Sequence, residues 1–413
     1  MGTAVERRRR TRNALMSFGL LALFTLLYLF LLYRSVDLRD AGGAAVDDQG
    51  NIYACLTERS FLGDSRISLV KYDSAGKIVW RSLQGIKTES TVDTSIIYEY
   101  DKIFTFHHLY FINRQSQQLL IGYNTEGRRL WRHKFEASKH IFLNRYPTKN
   151  TLQVINITNA NDLTILSIDA ATGATLNKRS VSIPLISSAS ALIALDDGLI
   201  YGLSSDLAKT DADGKQEWAV DTKMLIQGIL VDEARHVYAC GPSIYGKPYI
   251  IAKYAWDGSL IWRRELGEVD MTVDRFTLCP GGGVYLAAHE SVRSHRASII
   301  KIDEAGGMVW RAGLPLNVRM SGLAVDRRGN AVVIGTMSGQ DGRSAFVAKY
   351  NPAGKRLWFK QRPPTNPHLL RGLIPLFVAV FIAVRRKGYW LAWFVPMMIL
   401  AAYQFWLWLN AVP

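Results

Sequence analysis

One phrase recurs seven times between about residue 41 and residue 361, so the fold must be assembled from copies of a single unit. Its first copies are Lys71-Tyr72-Asp73-Ser74-Ala75-Gly76-Lys77-Ile78-Val79-Trp80 and Tyr123-Asn124-Thr125-Glu126-Gly127-Arg128-Arg129-Leu130-Trp131. The third, Ile168-Asp169-Ala170-Ala171-Thr172-Gly173, carries an extra residue before its glycine and lacks the tryptophan. The others run Thr210 to Trp218, Lys253 to Trp262, Lys301 to Trp310 and Lys349 to Trp358. The phrase reads as an alternating strand, a turn with Asp or Asn at its start in most copies and closed by Gly, and a second strand that ends, in six of the seven copies, on a tryptophan.

A second phrase comes earlier in the period, most clearly as Val46-Asp47-Asp48-Gln49-Gly50-Asn51-Ile52-Tyr53 and Val325-Asp326-Arg327-Arg328-Gly329-Asn330-Ala331-Val332. Two hairpins per period of roughly 46 residues make four strands, which is one propeller blade, and seven periods make seven blades. The expected fold is an all-β, seven-bladed β-propeller of four-stranded blades over residues 41–361. The pair of phrases resembles the repeats of bacterial seven-bladed β-propellers, and Asp169-Ala170-Ala171-Thr172-Gly173 is similar to repeats of the quinoprotein-like propeller superfamily. The resemblance implies a fold that family members use for binding, scaffolding and, in some, catalysis; it does not by itself assign a function.

The chain ends read differently. Ala14 to Tyr33 is an uncharged run of about 20 residues, long enough for a transmembrane helix over 14–34. Arg7, Arg8, Arg9, Arg10 and Arg12 stand before it in a basic arm, 1–13, that places the amino terminus in the cytoplasm. Two further transmembrane helices are expected at 368–384 and 389–409, joined by a cytoplasmic turn, 385–388, that contains Arg385, Arg386 and Lys387. The expected location is the cell membrane, multi-pass, with the propeller on the extracytoplasmic side. These clusters account for nearly half of the net charge of +15, and no basic stripe interleaved with aromatics is visible, so nucleic acid is not an expected partner.

Repeat phase adds an orientation. With four antiparallel strands per blade, the first strand starts and the last strand finishes on the same face, which should then lie against the bilayer. The longer connections share that face, and among them Arg293, Arg296 and Arg343 are candidate binding residues for membrane proteins or lipid head groups.

Catalytic chemistry is not apparent. Cys55, Cys240 and Cys279 are far apart and read as small core residues, with no adjacent pair of the kind that marks quinoprotein dehydrogenases. His107, His108, His133 and His140 form the densest histidine cluster, but neighbours on a strand point to opposite faces, so no metal site is expected. No cofactor is expected either. The reading is a non-catalytic binding or scaffold subunit of a membrane protein assembly. The alternatives are a quinone- or metal-dependent oxidoreductase subunit and a receptor or adhesion module for a soluble glycan or peptide.

Overall fold

The turn phrase works as its residues dictate. In the first copy, the Asp73 side chain accepts from the backbone N–H of Ala75 (3.0 Å) and of Lys77 (2.8 Å), while Gly76 N–H donates to the Asp73 carbonyl at 2.9 Å. Gly76 sits at φ +80°, where a side chain would be strained. A register shift beside each of these turns, such as Lys71/Tyr72 and Lys349/Tyr350, marks the bulge that lets a short loop close a twisted hairpin.

The computed structural model describes residues 36–361 apart from 61–64, 89–91, 111–115, 136–139, 145–149, 247, 267–270, 292–295 and 340–341. The described chain forms seven four-stranded antiparallel sheets, each in sequential strand order. They span 36–88, 92–135, 140–182, 189–221, 228–266, 272–313 and 318–361, and are numbered blades 1 to 7. Each blade is complete before the next begins.

Burial follows position within the blade. In blade 5 the second strand (Val237–Pro242) and third (Tyr249–Tyr254) are almost wholly buried, because both faces of the sheet meet neighbouring blades. The fourth strand (Leu260–Leu266) is mostly exposed and forms the outer rim. First strands pack against one another around the axis; Val36–Val46 of blade 1 meets Val92–Glu99 of blade 2 and Val318–Val325 of blade 7. The apolar core is therefore divided among the interfaces. Tyr53 and Leu69 of blade 1 cluster with Ile103 and Ile121 of blade 2, and Ile52 and Val70 cluster with Val332 and Val347 of blade 7.

The repeated tryptophans join blades. The indole N–H of Trp80 donates to Thr125 O of the next blade at 3.1 Å, Trp262 to Glu304 O at 2.8 Å, and Trp310 to Pro352 O at 2.8 Å. Trp358 closes the ring by donating to Ser74 O of blade 1 at 3.1 Å. In each case the ring lies over the turn glycine of the neighbouring blade. No strand is shared between blades 7 and 1, so closure rests on this docking and the apolar cluster across the seam.

Two sequence expectations require comment. Blade 2 lacks the Asp-x-x-Gly-Asn turn and uses the two-residue turn Tyr100-Asp101, both residues at positive φ (52° and 55°), so the second phrase is not repeated in its sequence. The fold class of a propeller plus three transmembrane helices is corrected to the propeller alone. Among the described residues the chain is all-β, its one helical piece is a three-residue 3-10 turn at Ile186–Ser188, and no helix is long and apolar enough to cross a membrane. The segments 14–34, 368–384 and 389–409 lie outside the described residues.

Candidate functional site

The two ends of the propeller differ in chemistry. Both tight turns of every blade point to one face, and the chain ends, Val36 and Gln361, lie on the other together with all remaining connections. Acidic residues dominate the tight turns, including Asp47, Asp48, Asp196, Asp197, Asp211, Asp213, Asp232, Glu233, Asp303 and Glu304. The described connections on the chain-end face hold no Asp or Glu, and the acids bordering them, Asp162, Asp206 and Asp221, stand at strand ends. Instead they present exposed apolar side chains: Leu185 (60% exposed), Leu225 (44%), Ile244 (37%), Tyr245 (81%) and Leu316 (60%). None of the described tight turns carries such a residue.

Three of the five belong to one structure between blades 4 and 5. The segment 222–227 alternates, burying Met224 and Ile226 and turning Lys223 and Leu225 outward. It is tied to the neighbouring loop by Leu225 N–H to Pro242 O (2.7 Å), Ile244 N–H to Lys223 O (3.2 Å) and a bridge between Met224 and Ser243. Lys223 pairs with Asp221. Leu225, Ile244 and Tyr245 thus share a patch with a lysine beside it.

Of the arginines expected to bind, Arg296 opens the third strand of blade 6 (Arg296–Ile302) and Arg343 lies in the third strand of blade 7 (Gly342–Tyr350). Both are exposed at the chain-end edge of their strands, opposite Ser291 and Ser338. Arg293 lies outside the described residues, as do Arg7, Arg8, Arg9, Arg10, Arg12, Arg385, Arg386 and Lys387. The leucines and the tyrosine escaped the sequence reading because a lone apolar residue between strands resembles strand pattern until the strand boundaries are known.

The tight-turn face has one irregularity. Blade 5 departs from the repeat where Arg235, at φ +65°, replaces the turn glycine and where Trp256 occupies the second position of the outer turn. The Arg235 guanidinium lies 4.8 Å and the Lys209 amine 4.7 Å from the Trp256 ring centre. Arg235 pairs with Asp197, and Lys209 with Glu217. A shallow groove beside them is lined by Glu217, Trp218, Ala255, Trp256 and Asp257. A break in the repeat was the available sequence signal.

The other candidate chemistry resolves into core. Cys55, Cys240 and Cys279 are buried and unpaired with one another, and burial pushes the Cys240 thiol up to about 12. His107 is fully buried, with Thr105 Oγ1 at 2.8 Å and Thr94 Oγ1 at 3.1 Å, whereas His108 turns to the opposite, half-buried side. Burial and the nearby Arg132 lower the His107 pKa to about 3. The described residues hold no group of three or more His, Cys, Asp or Glu suited to a metal ion.

No family model matches the sequence, and no curated protein matches it. Among solved structures the chain is similar to the β-propeller domain of the Trilobed protease from Pyrococcus furiosus, described as having an open velcro topology. Identity is 14% and TM-score 0.52, over 81% of this chain and 99% of that one. That likeness shows a propeller. Lower scores relate the chain to BamB from Moraxella catarrhalis (15% identity, TM-score 0.40, 76% of this chain and 82% of that one). They also relate it to PorZ, a surface component of the type-IX secretion system of Porphyromonas gingivalis (13%, 0.42, 80% of this chain and 39% of that one).

Proposed function

We propose that this protein is a non-catalytic binding or scaffold subunit of a membrane protein assembly, held on the extracytoplasmic side of the cell membrane, and that it meets its partners with the chain-end face. One observation carries the reading: exposed apolar residues and an absence of acid in the described connections on that face, set against acid-rich tight turns on the other. Exposed loop hydrophobics on a rigid scaffold are a usual place for partner contact. An anionic membrane surface would repel the tight-turn face and accept the chain-end one. The side of the membrane follows from sequence alone, through the arginine cluster at residues 7–12 and the uncharged run after it.

Purification of the full chain from its native membrane in mild detergent, with identification of what accompanies it, tests the proposal. A companion membrane protein near equal stoichiometry is expected, and its loss when Leu316 is changed to Asp would assign the contact to this face. A chain that is recovered alone at every detergent concentration would overturn the reading.

A second reading has its own observation. The groove beside Trp218 and Trp256, with Glu217 and Asp257, offers aromatic surface and carboxylates to a soluble glycan or peptide on the tight-turn face. It predicts that a Trp256→Ala variant loses binding to a soluble ligand while its membrane companion stays bound.

A further inference from the structure

Resting on the placement of the chain-end face toward the membrane, we propose that the Leu225–Ile244–Tyr245 patch touches the lipid itself, seated in the interfacial layer of an anionic bilayer. The patch is built to protrude. Gly246, next to Tyr245, has φ +86° and open space where a side chain would be, so the turn 243–246 has its tip in solvent. Its rigidity comes from beneath: Met224 and Ile226 are buried, and Ile226 N–H donates to Ser204 O at 2.9 Å. The loop therefore presents its apolar side chains without an ordering cost to be met on contact.

Composition selects the occupant. A tyrosine at the rim of an apolar patch, with a lysine alongside, is the amphipathic arrangement that suits the boundary between head groups and acyl chains. A protein interface of this size would be small, whereas a bilayer needs only shallow burial of a few apolar side chains. Cations border the patch: Lys223, paired with Asp221, stands beside it, and Arg296 and Arg343 lie on the same face in the next two blades, with the strand-end acids Asp206 and Asp221 as their counterparts next to Lys223. Position agrees also: the chain enters the propeller at Val36 on this face, directly after the uncharged run Ala14 to Tyr33, and leaves it at Gln361.

The three native cysteines are buried, which makes single engineered thiols selectively labelled. The full chain would carry Tyr245→Cys, Leu225→Cys or, as a control in a tight turn, Ala75→Cys, each bearing an environment-sensitive fluorophore. Each would be reconstituted into vesicles of phosphatidylcholine and phosphatidylglycerol containing acyl-chain spin labels. We expect labels at 245 and 225 to be blue-shifted and quenched by the spin-labelled lipid several-fold more than the label at 75. Strong quenching at 245 by aqueous iodide without lipid quenching overturns the proposal, and so does failure of the chain to float with vesicles. Shielding from both quenchers overturns it as well, by placing the patch in a protein interface while leaving the scaffold reading intact. Loss of every companion protein with lipid quenching retained would sink the scaffold reading alone.

Discussion

At Gly306 two demands coincide, a left-handed backbone and a tryptophan ring overhead. The residue has φ +82°, and an added Cβ would lie 2.8 Å from Trp262. Gly246 shares the backbone requirement, at φ +86°, but has open space. Gly246→Ala should cost about 1 kcal/mol, the conformational penalty alone, and Gly306→Ala about 2–4 kcal/mol, because the docked indole must also move. Denaturant midpoints of the two variants check the difference. His107 makes a pH prediction. Its folded pKa is held at about 3, below the ordinary 6.5, first by burial and then by Arg132. Between those values the unfolded chain binds more protons than the folded one. The stability contributed is complete above pH 6.5 and is lost as pH falls toward 3. A His107→Gln variant should therefore show a shallower loss of stability between pH 6.5 and 5 than the native chain, read from denaturant titrations.

Elements are held to one another by the tryptophan and the turn it meets. The periodicity of the tryptophans, and the packing between blades that it implies, were visible in sequence, but the turn that each ring meets was not, since Trp262 and Gly306 come from different repeats and meet only when blades stack. Blade 3 shows the rule by exception. It places exposed Asn177 where others carry tryptophan, and its contact with the Gly214 turn passes to Val181. Without the chain connection that joins each internal pair of blades, the seam between blades 7 and 1 depends on Trp358 more than an internal interface depends on its own tryptophan. Trp358→Ala and Trp262→Ala should each cost about 2–4 kcal/mol, reduced from a full core deletion because both rings are partly exposed. Hydrogen exchange should separate them: only Trp358→Ala is expected to speed exchange in both blade 1 and blade 7.

For the whole molecule, the polarity of the two faces is the functional statement. Repeat phase alone predicted that the chain ends would share a face, because four antiparallel strands return the chain to the side on which it started. Phase could not say what else that face carried. Its apolar residues come from connections, which have no period, and their exposure depends on which neighbours the blades cover. A Ser338→Cys variant on this face should resist a water-soluble thiol reagent in native membranes and react after detergent extraction, with Ala75→Cys reactive in both. Equal reactivity at the two positions in intact membranes would contradict the orientation.

Sequence by itself determined the unit, the number of copies and the phase, since a hairpin is coded by neighbouring residues: an Asp or Asn, a glycine three residues on, and alternation to either side. Only tertiary structure decided what meets what. The tryptophan contacts, the ring closure, the burial of His107 and the collection of Leu225, Ile244 and Tyr245 into one patch depend on residues far apart in the chain, whose juxtaposition comes from stacking blades rather than from any local preference.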